Sequence, residues 1–546
     1  MHLSGNGASL TAILFSDLHG RVAGSNPASV LGLISLIREN AKMGSGSRKD
    51  GTITKNEVRN MLFSKLLKME SQWTRTLNGA DAKVTTNKAL LDMFGTLPAM
   101  RNRSELEITR MFDCAFAKDP LGAVRCLFYT RDIRGGQGER EIFRLLLQHL
   151  AQTHPEIVLN NLKLVPEYGR FDDLYCLIGT PVETEMWTQM KSQLEKDLAA
   201  MERGEPVSLL AKWLKKANSS NEKTKKLGIY TAQKLGYSVY NYKRISSRLR
   251  KYQHIVEIPM SAKRWQSIVY PQVPSRAMMN YRKAYMRHDT FRFQKYLNAV
   301  SQGTAQIHSG TLYPYDIVER VMQNADPVLE QQWLALPDYI QNGDNILVMA
   351  DVSGSMYGRP MASAIALAIY FAERCQGAYH NLFMTFSEHP QIQELRGNTL
   401  REKVQLLRQA ACGMSTNFQA AMELILKLAV ENRCTQEELP KALAVVTDME
   451  FNRADHSVQR ETFTQRIQRE FAQYGYTAPT LVFWNVNSRQ DVFHSDSTDT
   501  GVVLVAGQSA STFQNIIRCL NGEAPLTPTD FMYQVLNSPR YQPVQV

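Results

Sequence analysis

The sequence has few cysteines and no long apolar run. Its seven cysteines are scattered, and no two of them form a Cys-x-x-Cys pair, so the sequence indicates neither a zinc site of that kind nor a disulfide framework. The longest almost wholly apolar helical stretch, Met361 to Ala372, is too short for the roughly 20 residues that cross a bilayer. We therefore expect a buried helix there, no membrane segment and a cytoplasmic location.

Acidic residues are scarce in one part of the chain. The whole chain carries a formal net charge of +11. Residues 341–546 hold 16 Lys and Arg against 20 Asp and Glu, which leaves +15 on the first 340 residues. Within residues 211–300 there are 20 Lys and Arg and only 3 Asp and Glu. Such an excess attracts polyanions, so we expect nucleic acid to be the partner of this region.

Aromatic residues are interleaved with these cations. Bases of single strands stack on aromatic rings while Lys and Arg contact the phosphates, which favours single-stranded RNA. The alternative is that the aromatic residues build helix cores and the cations only solubilise them. The aromatic candidates include Trp213, Tyr230, Tyr240, Tyr242, Tyr252, Trp265, Tyr281 and Tyr285. The predicted RNA-binding cations are Lys215, Lys216, Lys223, Lys225, Lys226, Lys243, Arg244, Arg248, Arg250, Lys251, Lys263, Arg264, Arg282, Lys283 and Arg287.

An apolar stretch, Ile346 to Ala350, leads directly into an Asp-x-Ser-x-Ser loop. Short oxygen-bearing side chains at alternate loop positions converge on one hard cation, because Mg²⁺ takes about six oxygens near 2.1 Å. Later segments supply a threonine that opens a helical stretch and an aspartate that ends a second strand. The predicted ligands of Mg²⁺ or Mn²⁺ are Asp351, Ser353, Ser355, Thr416 and Asp448.

Short apolar strands and helices alternate around these ligands. The alternation predicts a parallel, doubly wound α/β sheet, whose ligand crevice lies at the carboxyl ends of its strands. Glu450 follows Asp448 by two positions, and we interpret it as a solvated carboxylate or one behind the metal ligands rather than a catalytic base. The predicted strands are 382–386, 443–447, 481–484 and 502–505, and the predicted helices include 361–373 and 418–430.

The order of strand, Asp-x-Ser-x-Ser, Thr and Asp resembles the metal-ion-dependent adhesion site of von Willebrand factor A domains. In that family one metal position is left for an incoming ligand, typically a carboxylate of a partner protein. The resemblance therefore implies binding rather than catalysis, with an acidic protein ligand at the metal. Ser and Thr hydroxyls are weak ligands, and no neighbouring His or Lys stands out as a general base.

The N-terminal part of the chain reads as helical. Residues 138–150 place apolar side chains at helical spacing, and few segments before 340 alternate like strands. Three strings resemble landmarks of the TROVE module, the helical HEAT-like ring of the Ro autoantigen ribonucleoproteins, and in particular the diverged family that joins such a module to an A domain. The strings are residues 127–140, 166–174 and 312–318. The resemblance implies a ring or arch that binds small noncoding or single-stranded RNA.

We divide the chain into three parts: residues 1–42, a leader; residues 43–340, a basic α-helical TROVE-like module; and residues 341–546, a von Willebrand A-like α/β domain. Gly24 to Pro27 reads like a translated tRNA T-arm. We therefore hypothesise that the true start codon encodes Met43 or Met61.

Two functions of different class follow from these observations. The first is a ribonucleoprotein component in which the helical module holds RNA and the metal of the A domain recruits a partner. The second is a metal-dependent protein scaffold in which the basic patch contacts an acidic protein and no RNA is bound. A metal-dependent hydrolase is the least favoured interpretation, and we expect no enzymatic activity.

Overall fold

A computed structural model describes residues 73–77, 81–324, 326–340, 345–387, 389–410, 418–451, 463–510, 512, 515–516 and 527–546. The hypothesis about the start codon and the predicted ligand Thr416 concern residues outside these ranges. Among the described residues, no helix is both long enough and apolar enough to cross a membrane.

The first part of the described chain is a hairpin followed by helices. The hairpin pairs β1 (Trp73–Arg75) with β2 (Asp81–Lys83) in antiparallel fashion. The helices are α1 Ala89–Thr96, α2 Glu105–Phe116, α3 Pro120–Arg131, α4 Glu141–Thr153, α5 Pro155–Asn161, α6 Leu164–Tyr168, α7 Glu183–Glu202, α8 Leu210–Trp213, α9 Glu222–Lys234, α10 Val239–Tyr252, α11 Glu257–Ser261, α12 Ser275–His288, α13 Thr290–Ser301, α14 Pro314–Gln323 and α15 Pro327–Leu334. Short 3-10 turns lie at Leu97–Ala99, Phe171–Leu177, Trp265–Ser267 and Tyr270–Gln272.

Local sequence accounts for several of these helices. Helix α2 begins with a capping box, in which the Ser104 hydroxyl accepts from the Glu107 amide and the Glu107 carboxylate accepts from the Ser104 amide, so that unpaired donors of the first turn are satisfied. Helix α4 buries the apolar stripe that its spacing predicts. The prediction of a helical N-terminal module is therefore confirmed.

A six-stranded sheet follows. Its strands are β3 Ile346–Ala350, β4 Leu382–Thr385, β5 Ile392–Glu394, β6 Ala442–Thr447, β7 Thr480–Asn485 and β8 Val502–Ala506, in the order β5-β4-β3-β6-β7-β8. Its helices are α16 Arg359–Arg374, α17 Leu400–Gln409, α18 Phe418–Glu431, α19 Phe463–Gln473 and α20 Pro528–Leu536. Short 3-10 turns lie at Gly354–Met356, Gly377–Tyr379, Gln436–Glu438 and Pro539–Tyr541.

The strands lie where alternation of apolar strands and helices predicts them. Strands β3, β6 and β8 are buried along their whole length, as expected for a sheet covered by helices on both faces. The sheet is mixed rather than wholly parallel, because the edge strand β5 runs antiparallel to β4. Two exposed and one half-buried residue in β5 give it no apolar run, so its sequence carries no strand signal.

The helical and α/β parts share one hydrophobic core, which includes buried residues from Ala82 to Val544. Helix α1 packs on strand β8. The backbone of Lys83 exchanges two 2.9 Å hydrogen bonds with Phe493, and the Lys83 ammonium lies 2.6 Å from Asp496. The beginning of the helical module is thus attached to the far edge of the sheet.

The C-terminal segment returns to the helical module. Asp132, which is fully buried, accepts from both Arg540 Nε and Arg540 Nη2 at 2.9 Å and from the Tyr541 hydroxyl at 3.1 Å. Asn161 exchanges two hydrogen bonds with the backbone of Gln545. Residue 340 divides the helical part from the sheet along the sequence. In space the two parts are joined, because Lys83 contacts Phe493 and the C-terminal residues Arg540 and Gln545 contact the helices.

Candidate functional sites: a basic cavity and a predicted metal site

A cavity of about 2550 Å³ lies among the helices. Pockets for drug-sized molecules measure about 300–1,000 Å³, so this cavity exceeds that class. Its lining includes fourteen Lys and Arg residues and five Asp and Glu residues; we call it the basic cavity. The cations that line it are Arg101, Arg131, Arg134, Arg140, Lys163, Arg170, Lys196, Lys212, Lys216, Lys243, Arg244, Arg250, Arg276 and Arg359.

Some of these cations hold the wall together. Arg131 is buried and its ion pair with Asp173 measures 2.7 Å. Arg276 donates to both carboxylate oxygens of Asp316, at 2.8 and 2.7 Å. Pairs of arginine and carboxylate with this geometry fix the position of the side chains as well as their charge. Arg101, Arg134 and Arg140 are also paired with carboxylates.

The remaining nine cations form no ion pair among the described residues. They are Lys163, Arg170, Lys196, Lys212, Lys216, Lys243, Arg244, Arg250 and Arg359. Burial, together with the charge of Arg131, lowers the pKa of Arg170. Several positive charges in one cavity raise its electrostatic potential. A bound polyanion would lower that potential.

The three strings that resemble TROVE landmarks, residues 127–140, 166–174 and 312–318, all contribute to the wall of the basic cavity. Gly138 has a positive φ of 64° and packs against the Tyr313 side chain so closely that a Cβ has no room. Gly169 is packed in the same way against Arg131 and Asp173. These glycines are thus packing positions, and the strings that contain them also contribute lining residues.

The fifteen cations predicted from the sequence fall into two groups, those that line the basic cavity and those that do not. Lys216, Lys243, Arg244 and Arg250 line the basic cavity, although Arg250 donates to the carbonyls of Ala211 and Leu214. Eleven predicted cations are not part of the lining: Lys215, Lys223, Lys225, Lys226, Arg248, Lys251, Lys263, Arg264, Arg282, Lys283 and Arg287.

Arg282 has a structural role. It is buried, pairs with Asp326 and donates to the Met279 carbonyl at 2.7 Å. We therefore leave Arg282 out of the candidate RNA surface, because its guanidinium is already enclosed by protein. Lys215 lies 4.9 Å from the centre of the Tyr175 ring, and burial lowers its pKa.

The aromatic residues predicted to stack on bases also fall into two groups, those that line the cavity and those that are buried. Trp213, Tyr240 and Tyr281 line the basic cavity, and Tyr240 is 71% exposed. Tyr242 and Tyr285 are buried. Tyr285 belongs to a second hydrophobic cluster that also contains Tyr270, Val273, Met278, Phe293 and Tyr296, so part of the aromatic content of this region builds a core, as the alternative interpretation supposes.

The sequence alone does not predict most of the cations that line the cavity. Arg101, Arg134, Lys163, Lys196 and Arg359 come from helices or turns far apart in the chain. The first four lie in segments where acidic residues are also common, and Arg359 is an isolated cation, so composition does not distinguish any of them. The string that contains Arg131, Arg134 and Arg140 carries the available signal, because it resembles TROVE landmarks.

The predicted metal site lies at the point where the sheet reverses its strand order. Strand β3 is flanked by β4 on one side and β6 on the other, and ligand crevices of open α/β sheets lie at the carboxyl ends of the strands at such a point. Asp351 follows β3 directly and Asp448 follows β6 directly. The parallel register pairs Ala350 with Val446, which brings the two ends together.

Asp351 is held by its own loop and by the next strand. It is 2% exposed, and its two oxygens accept from the Ser353 amide and from the Thr447 hydroxyl, both at 2.8 Å. Burial raises the pKa of Asp351 to about 6, and the nearby charge of Asp448 acts in the same direction. The Ser353 and Ser355 hydroxyl oxygens are 3.0 Å apart.

Asp448 is 1% exposed. Its Oδ2 is buried and accepts no hydrogen bond among the described residues, and Arg489 Nε lies 3.6 Å from it. Mg²⁺ takes hard oxygen donors. The Asp448 oxygen, the buried Asp351 carboxylate and the two serine hydroxyls are donors of that kind. Four of the five predicted ligands thus lie at neighbouring points of one sheet edge, and Thr416 is outside the described residues.

Glu450 is not solvated. It is 6% exposed and accepts from the Leu77 amide at 2.7 Å and from Gln490 Nε2 at 3.2 Å. It therefore links the hairpin region to the loop after β7 and stands behind the predicted metal ligands. The solvated alternative for Glu450 is wrong.

His494, which sequence analysis did not single out, lies behind the same edge. Its Nε2 is 2.9 Å from the Met449 carbonyl oxygen, and its ring centre is 4.2 Å from that of Phe451. Burial lowers the pKa of His494 to about 4. No group of three or more His, Cys, Asp and Glu side chains suited to a metal is found in the described part of the chain; the predicted site relies on two carboxylates and on hydroxyls.

Comparisons with known proteins match both parts of the chain. A family described as "Domain of unknown function (DUF2828)" matches residues 76–205 and 206–345. A family described as "Domain of unknown function (DUF7788)" matches residues 345–524. The chain is also similar to "Uncharacterized protein L728" of Acanthamoeba polyphaga mimivirus, at 28% identity over 516 residues, which cover 86% of this chain and 88% of that protein.

Proposed function

We propose that this protein is the RNA-binding component of a ribonucleoprotein, with RNA held in the basic cavity. The observation that carries the proposal is the cavity lining, with fourteen cations against five carboxylates. Phosphate contacts dominate the affinity of proteins for nucleic acids. Nine of the fourteen cations have no carboxylate partner among the described residues. Arg250 donates to two backbone carbonyls, and the other eight are the candidates for phosphate contacts.

The size and the aromatic residues of the cavity favour a single strand or an unpaired segment of a small structured RNA. A cavity of about 2550 Å³ is suited to several nucleotides rather than to one small metabolite. Tyr240 and Trp213 line the cavity together with Lys216, Lys243 and Arg244, and the Trp213 ring already stacks with the Arg170 guanidinium, 4.6 Å away. Stacking of a base on such a ring contributes about 1–3 kcal/mol.

We further propose that the α/β part is a von Willebrand A-type domain that holds Mg²⁺ or Mn²⁺. The strand order, counted from β3 as the first strand, is 3-2-1-4-5-6, a doubly wound order with its crevice between the first and fourth strands. Asp351, Ser353, Ser355 and Asp448 would hold the ion, with Thr416 as the fifth protein ligand. The ion would supply a Lewis-acid position for a carboxylate of a partner protein.

Binding rather than catalysis is the role that we propose for this edge. The carboxylate nearest to the ligands in sequence, Glu450, is engaged by Leu77 and Gln490. His494 is buried behind the edge and contacts a backbone carbonyl. Both side chains thus already contact protein groups.

The second candidate is a metal-dependent protein scaffold in which the basic cavity binds an acidic protein segment. It is favoured by the same charge excess, since carboxylates and phosphates are both attracted by it. The two candidates differ in what the aromatic residues do, because an acidic peptide offers no bases to stack.

The test is a fluorescence-anisotropy titration of the full chain with a single-stranded RNA, the matched duplex and polyglutamate of equal charge, across a salt series. We expect the single strand to bind best, with a log–log salt slope of about −0.7 per phosphate neutralised. If polyglutamate binds as tightly as the single strand, the scaffold is the better account.

A further inference from the structure

A single arginine bridges the loops that follow three neighbouring strands of the sheet. Arg489 lies in the loop after β7. Its Nη2 donates to the Ser355 carbonyl in the loop after β3, and its Nε lies 3.6 Å from Asp448 Oδ2 at the end of β6. The side chain therefore spans the predicted metal site from one side.

The Asp448 carboxylate needs a cationic partner. It is buried next to a second buried carboxylate, Asp351, and two such charges repel each other at low dielectric. Among the described residues, Arg489 is the cation that forms an ion pair with Asp448. The guanidinium thus occupies the electrostatic role that a divalent ion would have.

A divalent ion and the guanidinium compete for the same carboxylate oxygen. An ion bound to Asp448 would bring two positive charges close to Arg489, and the two cations repel. The Arg489 side chain is 36% exposed, so it has solvent to move into. The ion and the arginine in its present place are therefore alternatives.

The two residues after Arg489 hold its loop through their side chains, so we place the change in the Arg489 side chain. The next residue, Gln490, donates to the Arg75 carbonyl at 3.3 Å and to Glu450 at 3.2 Å. Asp491 pairs with Arg103 at 2.5 Å. These contacts anchor the loop to the hairpin and to the turn before helix α2.

We propose that Arg489 is a built-in competitor of the metal ion: it neutralises Asp448 while the ion is absent and leaves when the ion binds, so that it sets the metal concentration at which the site fills. The inference rests on the proposed metal site. Because the coupling is reciprocal, filling the site also frees the guanidinium for the solvent side, where an acidic partner would meet it.

The experiment is a calorimetric Mn²⁺ titration of the full chain as wild type, Arg489→Gln, Arg401→Gln and Asp448→Asn. Arg401 is an exposed arginine of helix α17, so Arg401→Gln makes the same charge change away from the site. We expect Arg489→Gln to bind Mn²⁺ more tightly by between about 5- and 150-fold, the usual range of a coupling between two binding events, and Arg401→Gln to match the wild type.

The outcomes separate this inference from the metal site itself. Binding by Arg489→Gln but not by the wild type supports strong competition. If Asp448→Asn loses binding while Arg489→Gln binds no tighter than the wild type, the inference is overturned and the metal site stands. If none of the four proteins binds Mn²⁺, both are overturned.

Thermal unfolding gives a second readout that a purely structural role would not produce. Without metal, Arg489→Gln should unfold at a lower temperature than the wild type, because Asp448 loses its partner. Saturating Mn²⁺ should raise the midpoint of Arg489→Gln by more than that of the wild type. An equal rise in the two proteins would contradict the competition.

Discussion

The basic cavity and the predicted metal site concentrate charge in opposite ways. The cavity gathers fourteen cations, thirteen from many segments of the helical module and one, Arg359, from the α/β part. The metal site has two buried carboxylates at the ends of two adjacent strands. A distributed site loses affinity in steps as cations are removed, whereas a site of few ligands fails when one is lost.

The largest effect is expected at the metal site. Asp351→Asn should remove detectable Mn²⁺ binding, because a neutral amide replaces one of two carboxylates, and should leave RNA binding unchanged. Calorimetry and anisotropy titrations measure the two properties on the same protein. The control is Glu431→Ala, an exposed carboxylate of helix α18, which should alter neither. Loss of RNA binding in Asp351→Asn would show that the two sites are not separate.

Charge reversal in the cavity should give the next largest effect. Lys243→Glu with Arg244→Glu should weaken single-stranded RNA binding by on the order of 100-fold, because like charges then face the phosphates. The salt slope should fall by at least about 1.4, since each single-strand phosphate contact contributes about 0.7. Anisotropy across a salt series measures both quantities.

The matched control for this pair is Lys223→Glu with Lys226→Glu. These lysines are exposed, belong to the same basic segment and lie outside the cavity lining. The control should bind RNA nearly as the wild type does. Equal losses in the two double variants would mean that the overall charge, and not the cavity, binds RNA.

A third prediction concerns the contact that joins the C-terminus to the helical module. Arg540→Ala leaves Asp132 buried without its bidentate partner. Removing one partner of a buried pair costs about 3–5 kcal/mol, and since Arg540 is 32% exposed we expect roughly 3 kcal/mol of stability to be lost. Urea unfolding measures it. The exposed pair of Arg203 and Glu205 is the control, and Arg203→Ala should leave the midpoint unchanged.

The smallest effect is expected for a single ring in the cavity. Tyr240→Ala should weaken single-stranded RNA binding by about 1–3 kcal/mol, the usual contribution of one stacked base, and should affect polyglutamate binding much less. Phe291, which is 82% exposed and outside the lining, is the control. If Tyr240→Ala and Phe291→Ala bind RNA equally well, no base stacks on Tyr240.

The two regions also differ in how far sequence alone predicts them. The proposed metal ligands Asp351, Ser353 and Ser355 lie within five residues after an apolar strand, and Asp448 directly follows another, so local pattern predicts the strands and nominates the ligands. The short edge strand Ile392–Glu394 was missed because it has no apolar run. Arg489 was missed because its role depends on contacts with Ser355 and Asp448, which are distant in sequence.

In the helical module, composition identified the basic segment but not the surface. Lys243 and Arg244 line the cavity whereas Lys223 and Lys226, in a neighbouring helix, do not, and nothing in their local sequence separates the two pairs. Tyr240 is exposed and Tyr242 is buried, as expected for residues two apart on one helix, which point to opposite faces. Tertiary packing decides which of the two faces is buried.

The most direct test of RNA binding in the cavity is ultraviolet crosslinking of the wild-type chain to a single-stranded RNA, followed by mass spectrometry of the crosslinked peptides. The account predicts crosslinks at Tyr240, Trp213 or Tyr281, which line the cavity, and their loss in Lys243→Glu with Arg244→Glu. Crosslinks confined to the outer cations around Lys223 or Lys263, or crosslinks unchanged by the cavity variants, would contradict it.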